Sequence, residues 1–100
     1  MPARIEIDRE QLADFCRRHR VKKLSLFGSV LRDDFDPETS DVDVLVEFEE
    51  GAEVGYFGMG RMIIELRAIL GRDVDLRTPH EISQYFRDEV LDSAEVQYAA

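Results

Sequence analysis

The feature that most constrains this chain is a pair of aspartates, Asp41 and Asp43, at the start of an apolar run that ends at Phe48. The run predicts a β-strand, in which alternate side chains share one face at a rise of about 3.3 Å per residue. The two carboxylates then project the same way from backbone positions roughly 6.6 Å apart. Hard cations such as Mg²⁺ prefer oxygen ligands and keep places open for substrate phosphates. The pair therefore predicts metal-assisted phosphoryl or nucleotidyl transfer.

A third acid, Asp75, lies in a second short run that follows Gly71 and also predicts a strand. If this strand pairs beside the first, Asp75 completes a cluster of three carboxylates. Without a metal, these carboxylates would repel one another and raise their pKa values, and a bound cation would reverse that cost. The alternative is that these acids simply face solvent at strand ends, because short motifs of this kind also occur by chance.

A glycine–serine pair, Gly28 and Ser29, follows a shorter predicted strand over residues 23–27. Glycine permits a tight turn and a close approach of the backbone to a ligand, and the following residues fit the first turn of a short helix. Arg32 comes at the end of this turn. It could neutralise phosphate charge, or it could form a surface ion pair with Asp33 or Asp36.

The rest of the pattern predicts helices and strands in alternation. Asp8, with Gln11 three residues later, predicts the N-cap of a first helix over about residues 9–19. A polar loop over residues 33–40 leads to the strand at 42–48. Apolar residues at the 3.6-residue period then predict a long helix over about residues 54–70.

The last predicted helix begins near Thr78, because Pro79 and Glu81 suit the first helical turn. It runs in one piece or is broken near Arg87. Its apolar stripe comprises Ile82, Tyr85, Phe86, Val90, Leu91 and Ala94. The expected fold class is α/β (α+β), with a small, mostly three-stranded mixed sheet flanked by helices.

Composition limits the classes of function. The 100 residues, 44% hydrophobic and 35% charged, suit one folded domain with one core. No apolar run reaches the roughly 18 residues of a membrane span, and the N-terminus lacks the apolar core of a signal peptide, so we expect a cytoplasmic protein without membrane contact. The net charge of −9 repels long polyanions, so stable nucleic-acid binding is not expected.

Cys16 is the only cysteine, which excludes an internal disulfide and a metal site built from cysteines. Because it shares helical spacing with Leu12 and Phe15, it is expected to be a buried structural thiol. A small basic cluster follows Cys16. It could bind a triphosphate or an acidic partner, or it could be a solvated helix end. The cluster comprises Arg17, Arg18, Arg20, Lys22 and Lys23.

The motifs resemble those of a known superfamily. Gly28-Ser29, eleven intervening residues, Asp41-Val42-Asp43 and the later Val74-Asp75-Leu76 resemble the nucleotidyltransferases of the DNA polymerase β type, in particular the minimal MNT-type enzymes with their MntA-like antitoxins. The resemblance covers nearly the whole chain and implies a single nucleotidyltransferase domain over residues 1–100. The family usually has ten residues between the Gly-Ser pair and the first aspartate, and this chain has eleven. A loop accommodates one extra residue at low cost.

The resemblance also implies a site and a reaction. The backbone amides after Gly28, with the Ser29 hydroxyl, would hold the β- and γ-phosphates of ATP. Asp41 and Asp43 would hold two Mg²⁺ ions. Asp75 would bind the metal nearer the acceptor and help to deprotonate the attacking hydroxyl, and pyrophosphate would leave.

Members of this family are typically encoded beside a HEPN-domain RNase toxin and neutralise it by transferring AMP from ATP to a toxin tyrosine. The implied partner is therefore a HEPN-domain toxin, in a hetero-oligomer with this chain. Two alternatives remain open. The protein could be an antitoxin that acts by occlusion without catalysis, or a small-molecule nucleotidyltransferase, although such enzymes usually carry an additional substrate domain.

Overall fold

A computed structural model describes residues 5–32, 35–36 and 39–100. The strands form one mixed sheet in the order β3-β2-β1-β4, with helices packed against it. The expected mixed α/β class is confirmed, whereas the prediction of three strands is wrong, because β4 pairs with β1 and adds a fourth. The elements are α1 (Arg9–Arg18), β1 (Val21–Phe27), β2 (Val42–Phe48), α2 (Tyr56–Leu70), β3 (Val74–Arg77), α3 (Arg87–Ser93) and β4 (Glu95–Ala99).

Strand pairing sets which residues meet across the sheet. β1 is antiparallel to both β2 and β4, whereas β2 and β3 are parallel and are joined through α2. Val42 pairs with Val74, and Val44 pairs with Leu76. These side chains belong to the hydrophobic core on one face of the sheet, so the residues between them in sequence point to the opposite face.

The first helix forms as its cap predicts. Asp8 Oδ1 accepts hydrogen bonds from the backbone N–H groups of Glu10 and Gln11, both at 3.1 Å, and α1 ends at Arg18. Leu12 and Phe15 are buried on its inner face. The cap satisfies two of the helix N–H groups that would otherwise lack partners, which explains why the helix begins at this point.

The long helix begins two residues later than the expected position 54 and ends at Leu70. Gly71 closes it in the left-handed conformation at φ 70°, which glycine adopts without a steric penalty. The six apolar residues that carry the helical period all contribute to the core, as expected: Met59, Met62, Ile63, Leu66, Ile69 and Leu70.

The C-terminal region departs most from expectation. The cap at Thr78 forms, since its N–H and hydroxyl both donate to the Glu81 carboxylate, but only a single 3₁₀ turn follows. Arg87 donates to the carbonyls of Pro79 at 2.8 Å and Ile82 at 3.1 Å, which holds the intervening chain in a reversal instead of a continuous helix. A helix does begin at Arg87, as the broken alternative allowed. The predicted apolar stripe is wrong, because Ile82 is buried whereas the stripe residues after it are half-buried or exposed.

Part of the predicted loop over residues 33–40 lies outside the described residues, namely positions 33, 34, 37 and 38, and with it the suggested ion pair between Arg32 and Asp33. Phe35 is described and packs into the core. No helix in the described ranges is long and apolar enough to cross a membrane.

Cys16 is fully buried, and this burial raises the pKa of its thiol to about 12 from an ordinary value of 9.0. Because the thiolate is the reactive form, its population at neutral pH falls by about a thousandfold. We therefore expect the native protein to react with a disulfide reagent at least about a thousandfold more slowly than the unfolded protein. Absorbance at pH 7.5, with and without guanidinium, measures both rates. A native rate within tenfold of the unfolded rate would contradict this burial.

Candidate active site

The parallel strands β2 and β3 place two of the predicted acids directly opposite each other. Asp43 and Asp75 are register partners, next to the core pair of Val42 and Val74. The Val42 N–H donates to the Asp73 carbonyl at 2.9 Å, which fixes the register at this end of the strands. The two carboxylates therefore lie on neighbouring strands and on the same face of the sheet.

The Asp43 carboxyl lies in an unusual electrostatic environment. Burial raises its pKa, and the charges of Asp75 and Asp41 raise it further, while Arg77 and Arg32 act in the opposite direction. Asp41 itself is exposed, one residue before β2 begins. The three acids are thus close enough for their charges to interact at Asp43.

The Gly28–Leu31 segment forms a 3₁₀ turn against the same carboxylate. Phe27 is the register partner of Asp43 on β1, and Gly28 follows with φ +74°. A Cβ atom on Gly28 would overlap Oδ2 of Asp43 and lie 3.3 Å from its Cγ. Glycine is required both for the backbone conformation and for this close approach. The turn therefore brings Gly28 to Asp43, and Ser29 follows it directly along the chain.

Arg77 is a member of the site that sequence reasoning missed. Its Nε and one terminal guanidinium nitrogen both donate to Oδ2 of Asp75 at 3.3 Å. The sequence indicated this position, because Arg77 follows Asp75 by two residues and residues two apart in a strand share a face. Arg77 thus places a positive charge beside two of the three acids.

The donor set suits a hard cation. The candidate ligands are carboxylates. Burial and then the charges of Asp75 and Asp41 raise the pKa of Asp43, and a cation would relieve the repulsion among these charges. With the side chains as they stand, no group of three or more acids, histidines or cysteines among the described residues surrounds a single metal position. The Asp75 carboxylate is instead engaged by Arg77, whose charge offsets part of the repulsion.

Replacing Arg77 by alanine is expected to raise the pKa of Asp43 further, because a cation that lowers it is lost. The folded metal-free protein then binds the Asp43 proton more tightly. The stability linked to that proton is fully present below the unfolded-state pKa of about 3.9 and is lost as pH rises through the higher folded-state value. NMR titration of the Asp43 carboxyl carbon measures the change.

The matched control is Arg67→Ala, which removes an arginine that pairs with Asp73 at 2.9 Å instead of with Asp75. This variant is expected to titrate like the wild type at Asp43. An Asp43 pKa that stays constant or falls in Arg77→Ala would show that Arg77 does not act on this carboxyl.

The basic residues near the end of α1 are engaged elsewhere. Arg18 pairs with Asp14 at 2.8 Å and with Glu65 at 2.9 Å, and His19 contacts the same Glu65 carboxylate. These contacts link α1 to α2, so that Arg18, one of the five residues of the basic cluster, pairs with acids of this chain.

The chain is similar to known proteins over most of its length. A family model described as nucleotidyltransferase domain matches residues 8–96. A Methanocaldococcus jannaschii protein, named as a candidate protein adenylyltransferase, is 40% identical to this chain over 77 residues, which make up 77% of this chain and 80% of that protein. A solved structure described as a candidate minimal nucleotidyltransferase superposes with a TM-score of 0.70 at 35% identity, covering 86% of this chain and 85% of that one.

A more distant likeness involves a solved complex described as a tri-AMPylated Shewanella oneidensis HEPN toxin with an MNT antitoxin. A chain of that complex superposes with a TM-score of 0.63 at 18% identity, covering 92% of this chain and 70% of that one. At this level of identity the likeness shows a shared fold alone.

Proposed function

The chain belongs to the nucleotidyltransferase domain family, and from that premise we propose that it is an antitoxin-type protein adenylyltransferase. It transfers AMP from ATP to a hydroxyl group, that of a tyrosine, on a partner HEPN-domain RNase toxin. Pyrophosphate is released, the reaction depends on Mg²⁺, and the protein works in a hetero-oligomer with the toxin.

The observation that carries this proposal is the position of Asp43 between two features. On one side Asp75 is its register partner, and on the other side the Gly28 backbone lies against its carboxylate. A nucleotide whose phosphates face the Gly28–Ser29 turn would thus present its α-phosphorus between that turn and Asp75. This arrangement suits an in-line displacement at phosphorus.

The residues of this chain have distinct roles in the proposed reaction. The backbone amides after Gly28 and the Ser29 hydroxyl donate hydrogen bonds to the β- and γ-phosphates, and Arg32 neutralises part of their charge. Asp75 accepts the proton of the acceptor hydroxyl. The acceptor oxygen forms a bond to the α-phosphorus as the bond to the pyrophosphate oxygen breaks.

Asp41, Asp43 and Asp75 would hold two Mg²⁺ ions, which when bound supply charge neutralisation and orientation of the phosphates. The chemistry of the donor set supports this assignment, because the raised pKa of Asp43 arises partly from the two neighbouring carboxylates.

A protein acceptor is supported by the relative named as a protein adenylyltransferase, and a HEPN partner by the occurrence of this fold in toxin–antitoxin complexes. Labelled ATP tests the proposal. With purified partner and α-labelled ATP, Mg²⁺-dependent label should appear on the partner with the wild-type protein and should be lost with the Asp41→Ala/Asp43→Ala double variant.

Three outcomes separate the alternatives. Label transfer that survives the double change would refute the catalytic assignment. A double variant that still silences the toxin without modifying it would favour an antitoxin acting by occlusion. Transfer to small hydroxyl or amine acceptors in the absence of the partner would favour a small-molecule enzyme.

A further inference from the structure

A groove of about 660 Å³ lies at the end of the sheet where the parallel strands β2 and β3 finish. The three acids of the candidate active site lie at the opposite end, where these strands begin. Phe48, Met59 and Leu76 line the groove from β2, α2 and β3, and Thr78 and Glu81 line it from the chain that follows β3. Phe48 and Met59 are only partly buried, so the groove leaves part of the apolar core open to solvent.

An aromatic side chain stands at this groove in an unusually exposed position. Tyr56, the first residue of α2, lines the groove and is 97% exposed. A tyrosine ring offers a large apolar contact area together with a hydroxyl group, and such rings are enriched at protein interfaces. An apolar surface left open beside an exposed ring is typical of a protein interaction site. The groove and Tyr56 therefore indicate a docking surface.

The charge beside the groove limits what can occupy it. The connection between β2 and α2 carries three exposed glutamates, Glu49, Glu50 and Glu53. Glu49 pairs with Arg20 at 3.4 Å, whereas no ion pair engages Glu50 or Glu53 within the part of the chain that the structure describes. The chain as a whole carries a net charge of −9. Charge complementarity favours an occupant with lysines or arginines and disfavours an acidic one.

The position of the groove connects it with the acceptor side of the active site. Asp75, the proposed base for the acceptor hydroxyl, directly precedes Leu76 and lies roughly 10 Å along the strand from Thr78. β3 is the outermost strand on this side of the sheet, and no described strand pairs with its outer edge. A protein segment bound in the groove can therefore pass around this edge and reach Asp75 within a few residues.

We propose that this groove docks the protein acceptor, through a segment whose apolar side chains are flanked by lysines or arginines. This inference rests on the function proposed above, since it takes the acceptor to be a protein whose hydroxyl reaches Asp75. The groove then determines the affinity for the acceptor. The acids and the Gly28–Leu31 turn determine the rate of transfer once the acceptor is bound.

Tyr56→Ala tests the docking role in the label-transfer assay, with the purified HEPN-domain partner titrated against α-labelled ATP. The KM for the partner should rise at least about tenfold, the effect of truncating a central aromatic residue of an interface. The kcat and the affinity for a non-hydrolysable ATP analogue with Mg²⁺ should match those of the wild type. Ile64→Ala is the control, because Ile64 is 67% exposed on the same helix and does not line the groove. Its KM should stay within about twofold of the wild-type value.

Charge reversal tests the basic character of the docked segment. Glu50→Lys/Glu53→Lys should raise the KM for the partner at least about tenfold at low ionic strength, and added salt should reduce the difference. Glu6→Lys/Asp92→Lys is the matched control, because it changes the net charge equally at two exposed acids that do not line the groove. This control should keep the KM within about twofold of wild type, since salt screens distant charges. Thermal unfolding of each variant checks that the fold is kept.

The outcomes separate the two levels of proposal. If the wild type transfers no label to the partner, the proposed function fails. If the wild type labels the partner and both Tyr56→Ala and Glu50→Lys/Glu53→Lys keep the wild-type KM, the proposed function stands and the docking assignment is wrong. An equal rise of KM in Ile64→Ala would also overturn the assignment. So would a wild-type dimer in light scattering that dissociates in Tyr56→Ala, because a second copy of this chain would then occupy the groove.

Discussion

Replacing Asp43 by asparagine is expected to lower AMP transfer by at least about a thousandfold while keeping the protein folded. Asparagine has nearly the same shape, so the change removes the charge and leaves the packing. A ligand carboxylate supports charge stabilisation of several kcal/mol in the transition state, and about 4 kcal/mol corresponds to a factor near a thousand. Initial rates of label transfer from α-labelled ATP measure the effect.

The same variant is expected to be at least as stable as the wild type at pH 7. Burial and the neighbouring carboxylates raise the pKa of Asp43, which means that its ionised form is disfavoured in the folded protein. A neutral side chain escapes that cost. Urea unfolding at pH 7 compares the free energies of unfolding.

Asp73→Asn serves as the control, because Asp73 is an exposed acid at the edge of the same strand pair and its partner is Arg67. We expect this variant to retain activity within about twofold, since an exposed ion pair contributes little. If Asp43→Asn keeps more than a tenth of wild-type activity, Asp43 is not a metal ligand in the reaction.

Replacing Gly28 by alanine is expected to lower transfer about a hundredfold and to destabilise the fold by about 1–2 kcal/mol. The methyl group would overlap the Asp43 carboxylate and force it aside, and displacements near 1 Å at a reacting centre can cost a factor of about a hundred. The loss of stability comes from the positive φ, which is unfavourable for residues with a Cβ. Transfer rates and urea unfolding measure the two effects separately.

Gly71→Ala is the matched control for this strain. Gly71 has nearly the same backbone conformation, φ +70°, but a Cβ there would meet no atom within 4 Å. It should lose a similar amount of stability and keep full activity. Equal activities of the two variants would show that the contact between Gly28 and Asp43 has no role in catalysis.

The structural features that could be predicted from the sequence are those that depend on residues close together in the chain. The cap at Asp8 predicted the start of α1, the apolar run after Asp41 predicted β2 over Val42–Phe48, and Gly71 predicted the end of α2. The juxtaposition of Asp43 and Asp75 followed from one further assumption, that the two strands are neighbours.

The features that escaped prediction depend on contacts between distant or weakly patterned segments. β4 has only a short alternation of polar and apolar residues, and it forms because β1 offers it a free edge. The reversal before α3 depends on Arg87 reaching the carbonyls of Pro79 and Ile82, which no local propensity encodes. The exposure of Phe86 follows from that reversal.

Calorimetric titration with Mg²⁺ and a non-hydrolysable ATP analogue tests most directly whether Asp41, Asp43 and Asp75 form a metal-dependent nucleotide site. We expect saturable binding by the wild type that requires Mg²⁺, and at least about a hundredfold weaker binding by the Asp41→Asn/Asp43→Asn/Asp75→Asn variant. Absence of heat with the wild type, or equal affinity in the triple variant, would contradict a site built on these carboxylates.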